Sequence, residues 1–319
     1  MENLNEINLD KIELDYFFPD EAVNKGKEIW NQSFPLCIKL LKNGNIAIGL
    51  SESFIILNNQ FKILYSITKI KMGVTWIEQL ENENLLLTED KITCILKEKD
   101  AYSYKIIQKI DNKIRLNKSI LLNNLKDILT IDSEGNIKIY KEENEKYEKN
   151  LELKDNNSLM DAIQINDNII AVYSLGNYEI NFWDIVEKNK KGTIKEIGTE
   201  YSRDLIKKYK DKFLLVFGSV YIYIIDIIKY DLIKKIKLED KYYAVTCIHN
   251  YHSNFYLAGC FGNFFNFTFD EQNIDIKVTS FKNDCHGKEI ITFINILNNG
   301  NIISGSEDGK VKIWKIQKN

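Results

Sequence analysis

Chemically reactive side chains in this sequence gather in two places. The stretch "CIHNYHSNFYLAGC" carries Cys247, His249, His252 and Cys260. Thiolate and imidazole are the donors that zinc favours, and a hairpin bearing two of each could in principle gather them around one ion. The competing expectation is that Cys247 and Cys260 are small core residues of two successive strands, with His249 and His252 flanking the turn. We adopt that second expectation and assign no metal. The other place is near the C-terminal end, where His286, Ser304 and Asp308 supply the residue types of nucleophilic acyl transfer. Their meaning depends on the elements that hold them.

Composition narrows the chemistry further. The 319 residues carry a net charge of -3, with lysines and acids interspersed. That pattern lacks the basic stripe of a nucleic-acid binder, and no nucleic-acid partner is expected. Arginine occurs twice, at Arg115 and Arg203. Clamping of carboxylate or phosphate by clustered guanidinium groups is therefore not expected. No glycine-rich phosphate loop is present, and no cofactor is expected. The first residues, "MENLNEINLDKIELD", are acidic and lack an apolar leader core. The most apolar stretch, "FLLVFGSVYIYIIDIIKYDLI", has 13 uncharged residues before Asp226, too few to span a bilayer. Membrane insertion is thus not expected. Five scattered cysteines fit free thiols in a reducing compartment, cytoplasmic or nuclear, and a protein that is not secreted.

The elements follow from an internal repeat. "INILNNGNIISGSEDGKVKIW" predicts strand, Asn-Gly turn, strand, acidic turn and strand, because glycine accepts the positive φ of a tight hairpin. "IKLLKNGNIAIGLSESFIIL" superposes on it without a gap: Ile38 on Ile294, Gly44 on Gly300, Gly49 on Gly305. Five weaker copies lie between. With Trp314 as anchor, the matching residues are Asn58, Ile95, Tyr140, Trp183, Ile225 and Phe267, spaced roughly 42 residues apart. Seven such units near one period predict a single all-β repeat architecture, a ring of seven. A short N-terminal closing segment (1–35) then precedes seven repeats (36–319).

The stretches "SGSEDGKVKIW" and "NFWDI", supported by "IIDI" and "DSEGNIKIY", resemble the WD-repeat family of β-propellers. The resemblance makes the ring of seven an all-β, seven-bladed β-propeller of four-stranded antiparallel blades. It also implies a buried hydrogen-bonded network in some blades, here His286, Ser304, Asp308 and Trp314. Its departure from the family pattern is the order "CHG", where the family has Gly before His. No other blade has a His in place, so most blades are expected to be held by apolar packing alone. On this reading His286 is structural rather than catalytic, and no enzyme activity is expected.

After Trp314 only 315–319 remain, too few for a fourth strand, so the N-terminal segment is expected to close the last blade. "KIELDYF" (11–17) alternates as a half-buried strand should, and "GKEIW" (26–30) is the alternative. Function is left to surface loops. The turns between second and third strands are acidic in units one, two, three and seven and apolar in units four to six. Glu52, Glu89, Asp90 and Glu134 from those turns, with Met72, Tyr201, Arg203, Tyr242 and Tyr243 from inter-blade loops, form the expected partner-binding set; Tyr and Arg are enriched at binding hot spots. The expected partner is a protein, presenting a peptide or helix with a basic end and an apolar anchor to a propeller face. The expected role is a non-enzymatic scaffold in an intracellular multi-protein complex. The alternatives are a metal-binding or enzymatic propeller centred on blade six and a lipid- or trafficking-associated propeller.

Overall fold

The computed structural model describes residues 7, 9–18, 33–68, 70, 73–100, 103–124, 126–198, 205–240, 244–252 and 254–316. They form seven four-stranded antiparallel sheets, the blades of a β-propeller. Blades one to six run 35–68, 74–111, 116–154, 159–194, 206–237 and 247–282. Blade seven takes its first three strands from Ile291–Ile296, Ile302–Ser306 and Val311–Ile316. Its fourth is the N-terminal strand Ile12–Phe18, paired antiparallel to the third. The closing strand therefore corresponds to the 11–17 expectation, displaced by one residue; the 26–30 alternative lies outside the described residues.

The chain divides into two compact units, Cys37–Ile197 and Met1–Leu36 with Gly198–Asn319. Within each, the second strand of a blade is buried on both faces, as in IAIGL, ILTID, FLLVF and IISGS. A strand covered on both sides needs a continuous apolar run, which is why alternation fails in these segments. Outer strands behave oppositely. DLIKKIK (Asp231–Lys237) is mostly exposed, and its lysines discourage edge-to-edge pairing.

Local rules account for the turns. Gly44 and Gly300 sit at φ +85° and +87° and close equivalent Asn-Gly turns between first and second strands. Gly49 answers a different demand: a Cβ there would lie 2.5 Å from the Val74 carbonyl oxygen of the next blade and 2.6 Å from Cys37 Sγ. Each blade also carries a register shift where its third strand meets its fourth. It falls at Leu57, Leu96, Tyr140, Trp183, Ile225 and Phe267, and opposite Trp314 in blade seven. This irregularity marks the repeat more sharply than residue type does. It moves the anchors expected at Asn58 and Ile95 to Leu57 and Leu96.

Candidate functional site

In blade seven His286 and Ser304 are fully buried, and Trp314 nearly so. His286 Nδ1 lies 2.9 Å from Asp308 Oδ2, His286 Nε2 2.8 Å from Ser304 Oγ, and Trp314 Nε1 2.9 Å from the same Oγ. An indole can only donate, so Ser304 Oγ accepts from Trp314 and turns its own hydrogen to His286 Nε2. That makes Nε2 an acceptor and puts the imidazole proton on Nδ1, donated to Asp308. Burial lowers the His286 pKa below its usual range and keeps the ring neutral at pH 7. Burial opposes ionisation of Asp308, but the His286 N–H and the Lys310 backbone N–H (2.9 Å) outweigh it and hold the carboxyl below the usual range. The Ser304 hydroxyl is fully enclosed with both partners engaged, which is no arrangement for attack on a substrate.

Two further blades carry polar links of this kind without a histidine, which the expectation that most blades rest on apolar packing alone did not single out. In blade four, Asp155 lies four residues ahead of the first strand and is 2% exposed. Its Oδ2 accepts from Trp183 Nε1 (3.2 Å) and Asn181 Nδ2 (3.0 Å), and Lys190 Nζ lies 3.3 Å away. In blade three, Asn112 holds the same position, and Tyr140 donates its hydroxyl to Asn112 Oδ1 at 2.7 Å. Sequence reasoning keyed on His and missed both. The available signal was any polar residue four or five positions before a first strand.

The blade-six candidates do not assemble. Cys247 packs with Leu257, Phe264 and Ile291, whereas Cys260 packs with Val245, Ile248, Tyr256 and Phe265 in a separate cluster. His249 lies within the first strand, Cys247–His252, rather than beside the turn, and His252 ends that strand against the Phe255 ring. Burial pushes the Cys260 thiol up to about 11. Among the described residues no three His, Cys, Asp or Glu side chains gather as metal ligands.

Of the expected partner-binding residues, Met72, Tyr201, Arg203, Tyr242 and Tyr243 lie outside the described residues. Glu52 and Glu134 are exposed on separate blades. Glu89 and Asp90 are brought together, half-buried, on a groove of about 530 Å³ between the outer parts of blades one and two. The groove follows from the strand pattern. Ile92, Cys94 and Leu96 alternate onto one face of blade two's third strand, Ile106 pairs beside Leu96 on the fourth strand, and Ile67 of blade one lines the other side. The pairings Ser53–Thr68 and Ile92–Asp111 place Glu52 near the same end of the groove as Glu89 and Asp90. Beyond the lining, on the same outer strands, the Tyr65 and Tyr104 rings lie tilted at 54° with centroids 5.3 Å apart, and the Tyr65 hydroxyl donates to the Tyr104 carbonyl (3.2 Å). Lys91, Lys109 and Asp111 complete the charged rim. Cys94 Sγ, on the floor, donates to Glu89 Oε1 at 3.4 Å. Burial, then the Glu89 charge, pushes this thiol up to about 12, so it is a packed thiol and not a nucleophile.

No family model matches the chain, and no curated protein matches it in sequence. Its architecture is nevertheless shared. The crystal structure of the WD40 β-propeller domain of Doa1 superposes with a TM-score of 0.69 at 14% identity, covering 96% of this chain and 98% of that one. The fold is a WD40-type β-propeller. On this WD40-type fold the polar networks of blades three and seven are interior, that of blade four is partly so, and the groove at Glu89 and Asp90 is a concavity that opens to solvent. Its apolar wall was not foreseen. Ile106 in "SYKIIQKID" was its signal, a large aliphatic residue 39% exposed on an outer strand otherwise rich in polar residues.

Proposed function

We propose that this protein is a non-enzymatic interaction scaffold, a subunit of a cytoplasmic or nuclear multi-protein complex, that grips its partner at the groove between blades one and two. WD40 propellers serve generally as protein-interaction scaffolds, and the observation favouring this site is one of chemistry. The groove joins an apolar wall to a mouth carrying Glu89 and Asp90, with Glu52 close by. An apolar floor supplies affinity through burial at about 25 cal/mol per Å², and the charged mouth supplies orientation. The matching partner is a helix or extended segment with one aliphatic or aromatic anchor and a lysine or arginine at one end. The interior location of the His286 network supports a role in holding the blade rather than in turnover. Among the described residues no helix is long and apolar enough to cross a membrane.

The test compares proteins co-purified with the wild-type chain and with Glu89→Lys/Asp90→Lys, each quantified by mass spectrometry, with Glu143→Lys/Glu148→Lys, both exposed on blade three, as a charge-matched control. The expected result is loss of a defined set of partners in the double variant, retained in the control, at unchanged melting temperature. Identical partner sets in all three proteins would overturn this assignment.

A further inference from the structure

The seventh blade's closing strand is preceded by a segment whose anchoring is of a different kind. Ile7, Leu9 and Ile12 are at most 1% exposed and sit in one cluster with Cys247, Leu257, Phe264, Ile291 and Trp314, at the seam of blades six and seven. Apolar sockets alone would tolerate sliding, but the main chain is also held. Asn266 Nδ2 donates to the Ile7 carbonyl at 3.0 Å, and Ser280 Oγ donates to the same oxygen at 3.0 Å. The Ile7 N–H points at Tyr251 Oη (3.4 Å) and the Leu9 N–H at Ser280 Oγ (3.3 Å). Tyr251 Oη in turn donates to Asn266 Oδ1 at 3.0 Å, which orients the amide. Lys282 Nζ adds a bond to the Ile12 carbonyl at 3.2 Å.

These clamp residues come from three different strands of blade six, and Asn266 is fully buried within the aromatic run "FFNFTF". An amide in that setting carries a heavy desolvation cost unless its bonds are made. Here both its ends are committed, the Nδ2 to the Ile7 carbonyl and the Oδ1 to Tyr251. Bonds to peptide carbonyl and N–H groups recognise main chain, and the sockets for Ile7, Leu9 and Ile12, spaced across the 3-10 turn Leu9–Lys11, add sequence preference. By contrast, the closing strand beyond this point is less regular. Its pairing shifts register between Leu14 and Tyr16, and Leu14 is 47% exposed.

We propose that Tyr251, Asn266 and Ser280 form a peptide-binding site on blade six that takes a segment passing through a 3-10 turn, with branched aliphatic residues at positions i, i+2 and i+5, and that Ile7, Leu9 and Ile12 are its resident occupant. A peptide of this class supplied from another molecule takes the same site once the resident segment is released. This site is separate from the groove at Glu89 and Asp90, and each stands without the other.

The experiment uses the full chain with a protease site inserted between Lys25 and Gly26, folded intact and then cut. The cut protein is incubated with excess fluorescent peptide of the Ile7–Phe18 sequence, and label retained by the protein is read after gel filtration. A second peptide carries Ile7→Asp and Leu9→Asp, and a third begins at Lys11, keeping the strand and Ile12 but lacking Ile7 and Leu9 with their main-chain bonds. The expected result is stoichiometric uptake of the first peptide and uptake at least 100-fold weaker for the other two. Failure of the first peptide to enter, or comparable uptake of all three, would overturn the proposal. Because the changes sit in the peptides, misfolding of a protein variant cannot imitate either outcome.

Discussion

Ser304→Ala deletes one oxygen from blade seven and strands two groups. In the wild type that oxygen accepts from Trp314 Nε1 (2.9 Å) and faces His286 Nε2 (2.8 Å), with Ser304 fully buried. Neither partner has water to turn to: His286 is 1% exposed and Trp314 5%. A buried donor or acceptor left unsatisfied costs about 1–3 kcal/mol, so the pair costs about 3.5 kcal/mol. Taking about 2.1 cal/mol/K of unfolding entropy per residue over 319 residues gives about 0.7 kcal/mol/K, and the melting temperature should fall by about 5 °C. Calorimetry at pH 7.5 reads that number, and a double-mutant cycle reads its cause. Trp314→Phe removes the stranded indole donor, so it should cost about 1.5 kcal/mol less in the Ser304→Ala background than in the wild type. If the two shifts add, or if Ser304→Ala melts with the wild type, the hydrogen-bonded chain is not what holds this blade.

Three further outcomes are expected. His286 has a folded pKa below the roughly 6.5 of an unfolded chain. Its contribution is therefore complete above about pH 7 and is lost as pH falls through 6.5 toward the folded value. The wild-type melting temperature should drop more between pH 7.5 and 5.5 than that of His286→Gln, and equal drops would refute the assignment. Lys118 and Asp161 form an ion pair at 2.6 Å with both side chains at most 4% exposed. Lys118→Met alone should cost about 3–5 kcal/mol, while Lys118→Met/Asp161→Leu should recover at least half of it in urea denaturation. All five cysteines are buried free thiols, with those of Cys94 and Cys285 pushed up to about 12. An aromatic disulfide reagent at pH 7.4 should titrate fewer than one thiol in the native protein and five in denaturant, so rapid reaction of the native form would contradict this packing.

The fold was legible because its information is periodic. Asn-Gly turns at Gly44 and Gly300 and apolar second strands repeat along the chain, and either feature survives loss of the motif residues. The closing strand was legible through its alternation, although only Ile12 is buried as that pattern implies: Leu14 is 47% exposed, and the pairing shifts register between Leu14 and Tyr16. The site was less so, for a physical reason. A groove is made by two blades, and the residues that form its wall, Ile67 of one outer strand and Ile106 of another, look like ordinary strand residues until the strands are placed side by side. Glu89 and Asp90 were accessible to sequence reasoning because a turn displays its charge wherever it sits. The blade-six clamp left one mark in the sequence, Asn266 among phenylalanines. Its partners Tyr251 and Ser280 are polar residues that many strands could carry.

The three polar networks together show what selection by physics preserves when a repeat erodes. Trp314, Trp183 and Tyr140 occupy the register-shift position of their blades; the first and last are buried, Trp183 is half-buried, and each carries a side-chain donor with a partner. In each blade a polar residue four or five positions ahead of the first strand belongs to the answering network: His286 acting through Ser304, Asp155 directly, Asn112 directly. Those residues share no charge state, since one is a neutral ring, one a carboxylate and one an amide. What they share is an acceptor available to the network from the same place in the chain. At Leu57, Leu96, Ile225 and Phe267 the register-shift residue has no side-chain donor, so no acceptor is demanded there. The requirement attaches to the buried donor and not to a motif. Blades can therefore lose the histidine, and even the tryptophan, provided that donor and acceptor change together.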